Sequence, residues 1–87
     1  MKLIIAIVRD VHADPVTQAL TTARFRVTRT SSTGGFLRRG VTTLLIGVED
    51  EQVETAIQVM KKECTSPPGG EKQATIFVVP VERFEQV

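Results

Sequence analysis

One cysteine, Cys64, stands in the whole chain, so no intrachain disulfide forms and no covalent staple supports the fold. A lone thiol fits a reducing compartment. There is one histidine, His12, and no Cys/His spacing matches a zinc site. No apolar stretch approaches the roughly 20 residues of a membrane span. The opening Met1–Val8 run is at the short end for a signal peptide, lacks a small-residue cleavage site and runs into Arg9-Asp10. A formal net charge of only +1 argues against the whole chain acting as a nucleic-acid binder. These absences lead us to read the protein as soluble and cytoplasmic, without a membrane or nucleic-acid polymer as partner.

What is present suits one small globular domain. The 87 residues, 41% apolar and 24% charged, suffice for one core and are too few for two, so residues 1–87 are read as a single domain. A chain of this size buries only about 60% of its unfolded surface and is marginal alone.

Hydrophobic patterning divides the chain into six elements. Leu3 to Val8 is a continuous β-branched run, a strand apolar on both faces. Asp14-Pro15 reads as a helix start, a cap residue with proline at the first helical position, followed at helical spacing by Val16, Ala19, Leu20 and Ala23. Phe25 to Thr30 puts Phe25 and Val27 on one face and Arg26, Thr28 and Thr30 on the other. A polar loop over 31–40 joins it to Val41–Val48 in a long hairpin. Asp50 is read as the cap of a second helix carrying Val53, Ala56, Ile57, Met60 and Cys64. Thr65 to Gln73, with Pro67-Pro68-Gly69-Gly70, is a turn, and Ala74–Val81 is the last strand.

The order βαββαβ predicts an α+β, ferredoxin-like sandwich. Two helices cover one sheet face. The first and last strands are apolar on both sides, so the other face also needs a cover, and copies of the chain are the expected cover.

Enzyme signals are nearly absent. His12 is read as a solvated loop residue beside a helix start, and Cys64 as a buried structural thiol on an apolar helix face. The carboxylates Glu49, Asp50, Glu51 and Glu54 gather at a helix start, where capping accounts for them. No base, nucleophile and anion-stabiliser set assembles, so no catalytic residue, metal site or cofactor is assigned.

The informative segment runs from Arg24 to Gly40. It holds five of the 11 basic residues (Arg24, Arg26, Arg29, Arg38 and Arg39) and no carboxylate. Hydroxyls at Thr28, Thr30, Ser31, Ser32 and Thr33 precede Gly34-Gly35. Guanidinium groups, hydroxyls and glycine N–H groups are what a phosphate requires. Phe36-Leu37 supplies an aromatic for stacking on a base. Composition alone equally accommodates a solvated hairpin, with Phe36-Leu37 tucked onto the sheet, and Arg26 and Arg29 point in opposite directions.

The stretch Phe25-Arg26-Val27-Thr28, then Ser32-Thr33-Gly34-Gly35-Phe36-Leu37-Arg38-Arg39-Gly40, Thr42-Thr43 and Ile46-Gly47-Val48-Glu49-Asp50 resembles the PII-like cyclic di-AMP receptor family. The opening Met1–Val8, the closing Ala74–Glu82 and the terminal Phe84-Glu85-Gln86 are similar too, so the resemblance spans nearly the whole chain. It implies a bacterial PII-like signalling protein with a ferredoxin-like subunit, a homotrimer, a cyclic di-AMP site between neighbouring subunits and a downstream protein partner. Family ligand contacts fall on Arg26 and Thr28, on Gly35, Phe36 and Leu37, on Gly47, on Phe77 and on Gln86. The sequence departs from the family at Val41, where asparagine is usual, and in the short Thr65–Gln73 connection, where the family has a long loop. Two alternatives follow: a divergent PII-like module for another nucleotide or anion, and a structural trimer like the copper-tolerance proteins of similar fold.

Overall fold

A computed structural model of the chain describes residues 1–30, 40–64, 70 and 72–87. Strand β1 (Lys2–Arg9) leads into helix α1 (Asp10–Thr22), β2 (Arg26–Thr30), β3 (Val41–Val48), a 3-10 turn (Asp50–Gln52), helix α2 (Val53–Glu63) and β4 (Ala74–Pro80). The sheet order is β2-β3-β1-β4 with every neighbour antiparallel. This is the α+β ferredoxin-like arrangement that the element order predicts.

Alternation along the strands decides which residues meet the helices. Ile4, Ala6 and Val8 of β1 and Leu44, Ile46 and Val48 of β3 are buried against Ala13, Val16 and Leu20 of α1 and Ala56 and Met60 of α2. The register sets Ile4 opposite Ile46 and Ala6 opposite Leu44, so these side chains share one face. Leu3, Ile5, Ile7, Leu45 and Gly47 therefore lie on the other face, which neither α1 nor α2 covers.

Three local expectations are corrected. Helix α1 begins at Asp10, not at Asp14, and Pro15 lies inside it. Arg9 at the N-cap is extended and makes no side-chain cap; instead the Asp10 N–H donates to the Gly40 carbonyl at 2.8 Å. A carbonyl from the hairpin thus satisfies a first-turn donor, and Pro15 only removes the bond to Val11 that its absent N–H would have made. Ala23, expected on the buried helix face, is the exposed C-cap. The second helical segment is capped by Glu49, not Asp50: Glu49 and Gln52 form a reciprocal capping box, with the Glu49 N–H donating to Gln52 Oε1 at 3.2 Å. Asp50 instead holds the Met1 ammonium at 3.1 Å.

The exit from α1 aims β2. The Phe25 N–H donates to the Leu20 carbonyl and the Arg24 N–H to the Thr21 carbonyl, the paired bonds of a Schellman motif, and Phe25 and Leu20 are both buried. Its left-handed position is taken by Arg24, at φ 71°, where glycine is the unstrained choice.

Candidate functional site

The open face of the sheet is polar at one edge and apolar at the other. On β2, Arg26 and Thr28 are two apart, both exposed, and both on this face. Arg26 lies opposite Gly47 and Thr28 opposite Leu45. The rows continue across β1 and β4: Gly47 meets Leu3, which meets Val79, and Leu45 meets Ile5, which meets Phe77. Thr30 and Thr43 form the next row, with the Thr30 hydroxyl donating to the Thr43 carbonyl at 3.3 Å. The Thr43 hydroxyl is buried without a partner.

Arg29, one residue off this alternation, faces the helices and pairs with Asp14. Arg26 makes no ion pair among the described residues, so its guanidinium is available to an incoming anion. A Cβ on Gly47 would stand 3.3 Å from the Met1 methyl, the end of a flexible and exposed side chain that lies over the glycine. Met1 thus covers the sheet at the position beside Arg26.

Phe77 is on the same face and 52% exposed. Its strand is three places from β2, which at about 4.8 Å per strand sets the two about 14 Å apart. The structure therefore brings together Arg26, Thr28 and Gly47, and keeps Phe77 apart from them. Gln86 lies in the exposed tail after β4, outside any element. Gly35, Phe36 and Leu37 lie outside the described residues.

Of the two reactive side chains, His12 comes out differently from its reading. His12 is not a solvated loop residue: it sits half-buried in the first turns of α1, 2.9 Å from Gln73 Oε1. Cys64 is half-buried, packed against the core, and burial, with Glu63 adding to it, pushes its thiol above the usual value. A protonated, packed thiol is a poor nucleophile. Among the described residues no group of three or more His, Cys, Asp or Glu side chains is placed to hold a metal, and no helix is long and apolar enough to cross a membrane.

Residues 1–69 match the family model described as cyclic-di-AMP receptor. The chain belongs to the cyclic-di-AMP receptor family. A receptor family implies binding and signalling rather than catalysis. The matched stretch carries Arg26, Thr28, Gly35, Phe36, Leu37 and Gly47, while Phe77 and Gln86 lie beyond it. A crystal structure of a functionally unknown protein from Pediococcus pentosaceus ATCC 25745 is also similar, with a TM-score of 0.79 and 37% identity over 99% of this chain and 96% of that one. That similarity includes β4, so the fold shared with that protein extends to the last strand.

Sequence alternation alone finds that Arg26 and Thr28 share a face. It does not find the row they join, because Gly47, Leu45 and Thr43 are placed beside them only by the strand register. Nor does it find Met1 over Gly47, a contact between residues far apart in sequence.

Proposed function

We propose that this chain is a bacterial, cytoplasmic PII-like signalling protein that binds cyclic di-AMP between the subunits of a homotrimer and passes the signal to a downstream protein. The observation that supports it most is the split open face, with Arg26, Thr28 and Gly47 at one edge and Phe77 about 14 Å away at the other. A cyclic dinucleotide presents two phosphates and two purines. Arg26 and Thr28 donate to a phosphate, and Gly47 lets the ligand lie close to the sheet once the flexible Met1 side chain over it swings away. An aromatic is wanted on the base, yet the chain's own Phe77 stands at the wrong edge. A second copy packed on the open face brings its Phe77, and the Gln86 that follows, to the first copy's Arg26.

The same packing removes apolar surface from water. Leu3, Ile5 and Leu45 are only partly buried, and Phe77 and Val79 are exposed. Gly35, Phe36 and Leu37 complete the ligand contacts in this reading, with backbone N–H groups and apolar surface. Gln86, with both donor and acceptor, reads an adenine edge.

Isothermal titration with cyclic di-AMP, alongside sedimentation of the same sample, tests this directly. One ligand per subunit in a particle of three chains is the expected result. A single-chain particle with a flat titration overturns it. A second reading rests on Val41, which begins β3 on the open face opposite Arg9 and offers no side-chain hydrogen bond where the family has asparagine. In that reading the scaffold takes a different nucleotide, and a thermal-shift screen shows the larger stabilisation with that nucleotide.

A further inference from the structure

Met1 lies on the open face at its polar edge. Its carbonyl accepts from the Val81 N–H at 3.1 Å, and its ammonium sits 3.1 Å from Asp50 Oδ1. One partner follows β4 and the other follows β3, so the backbone of Met1 is held from both sides. The side chain is free to turn: Met1 is 42% exposed, and its terminal methyl lies over Gly47, 3.3 Å from where a Cβ would stand. Gly47 is the cross-strand partner of Arg26. Directly opposed residues of an antiparallel pair are about 4.5–5.5 Å apart at Cα, a gap that an arginine side chain spans. Arg26 is exposed and takes part in none of the ion pairs among the described residues.

The chain has two methionines, and the fold treats them oppositely. Met60 is 1% exposed in the core, whereas Met1 meets solvent beside an unpaired arginine. A thioether is a weak hydrogen-bond acceptor, so Met1 covers Gly47 with little claim on the guanidinium. A peroxide changes that. The Met1 sulfur lone pair attacks one peroxide oxygen; the S–O bond forms as the O–O bond breaks, and the second oxygen leaves as water with both protons. Sulfur loses two electrons and the peroxide gains them. The sulfoxide is polar, and its oxygen is an acceptor suited to a charged donor such as Arg26.

We propose that Met1 is a gate over the Arg26 edge of the open face and an oxidation site, and that its sulfoxide shuts the gate by bonding Arg26. The reduced side chain swings aside for an incoming phosphate; the oxidised one competes with that phosphate for the same guanidinium. A thiol-dependent sulfoxide reductase reopens it, the oxygen leaving as water as two thiols become a disulfide. In its ligand arm the proposal rests on the receptor reading above. A site between subunits that admits a dinucleotide admits the far smaller peroxide. The contact between the sulfoxide and Arg26 needs no ligand.

The full chain is treated with hydrogen peroxide, and peptide mass spectrometry places the added oxygen on Met1 rather than on Met60 or Cys64. In ligand-free protein the Arg26 Nε–H resonance is expected to shift on oxidation; an unmoved resonance overturns the proposal. Calorimetry with cyclic di-AMP is expected to show affinity weaker by about 3- to 10-fold after oxidation, the scale of one net hydrogen bond. Unchanged affinity with Met1 fully oxidised overturns the gate. Met1→Leu and Met1→Ala, each released from a cleavable N-terminal fusion, have no sulfur at this position, and each is expected to give the same affinity before and after peroxide. A loss in Met1→Leu places the effect at another side chain and overturns the assignment. Met1→Ala uncovers Gly47 and is expected to bind more tightly than the parent, by roughly twofold or more, since no side chain must be moved. Weaker binding by Met1→Ala makes the thioether a ligand contact and overturns the gate. A flat titration of the unoxidised parent, with the Arg26 shift intact, removes the receptor reading and leaves the sulfoxide contact standing.

Discussion

Leu44 and Leu45 are neighbours on β3, identical in type and opposite in circumstance. Leu44 is fully buried beneath the two helices. Leu45 points to the uncovered face, half-buried between Thr28 and Ile5. The same contrast runs through the sheet. The part of the helix side that is buried is apolar, with no buried polar or charged residue among those described, and Arg29 stays at its exposed edge. The open side mixes Arg26, Thr28 and Thr43 with Leu3, Ile5 and Phe77. A face that only held the fold together would have no use for an unpaired arginine beside an exposed phenylalanine. A face that only met water would have no use for Leu3, Ile5 and Leu45. The mixture is what a surface shared between a polar ligand and another copy of the chain requires.

Substituting each leucine by alanine gives the largest test of this contrast. Leu44→Ala removes a closed-face side chain and is expected to cost about 2–5 kcal/mol, a large share of the roughly 4–13 kcal/mol available to a domain of this length. Urea denaturation reads it, and the loss should not vary with protein concentration. Leu45→Ala is expected to cost about 1 kcal/mol or less in the isolated chain, plus a further loss that grows as the protein is concentrated and copies associate. Equal, concentration-independent losses would erase the distinction between the faces.

Arg26 and Arg29 make the next comparison. Arg26→Ala removes a charge-assisted hydrogen-bond donor from the open face. It is expected to leave stability within about 0.5 kcal/mol and to weaken cyclic di-AMP binding by about 10- to 150-fold, the equivalent of 1.5–3 kcal/mol. Arg29→Ala breaks the surface pair with Asp14, in which both side chains are well exposed. The expected cost is about 0.2–1 kcal/mol of stability, with unchanged ligand affinity. Calorimetry and thermal melting of the two variants separate a binding arginine from a tethering one.

Much of this contrast is written in local sequence, and the parts that are not share a cause. The bounds of β3 are legible because an apolar, β-branched run lies between Gly40 and Glu49. Arg26 and Thr28 share a face by alternation alone. The start of α1 is not legible: Asp14-Pro15 is a good local signal, outweighed by the Gly40 carbonyl, 30 residues away, which accepts from the Asp10 N–H. The capping residue before α2 is misplaced by one, because a box needs glutamine at the right distance and Glu49, not Asp50, has Gln52 there. His12 reads as solvated until Gln73 is placed beside it. Phe77 joins the ligand set by resemblance, but its separation from Arg26 follows from strand order, which no single strand reveals.

Arg24 sits where the closed layer hands over to the open one, at the left-handed residue between α1 and β2. A non-glycine residue there carries about 1–2 kcal/mol of strain, and glycine gives back part of that in unfolded-chain entropy. Arg24→Gly is expected to stabilise the chain by roughly 0.5–1 kcal/mol, seen as a melting temperature a few degrees higher. If ligand affinity is unchanged, the strain is unrelated to the open face; a loss of affinity places the Arg24 charge in the ligand's field.

The smallest expected effect concerns the corner where the open face meets the chain start. The Asp50 carboxylate accepts a hydrogen bond from the Met1 ammonium, which, with the charges of Lys2 and of the ammonium itself, holds its pKa below the ordinary carboxylate value. A lowered folded-state pKa means that the unfolded chain takes up the proton first, so this contribution is present above the unfolded value and is lost as pH falls through the folded one. The pair is exposed and screened by salt. Its loss is therefore expected to show less as unfolding than as release of Met1, whose side chain lies over Gly47. Methyl NMR of Met1 across an acid titration should move in step with the Asp50 carboxyl, and in Asp50→Asn it should lose that titration. A Met1 signal indifferent to both would mean that Gly47, rather than the ion pair, holds the methionine on the open face.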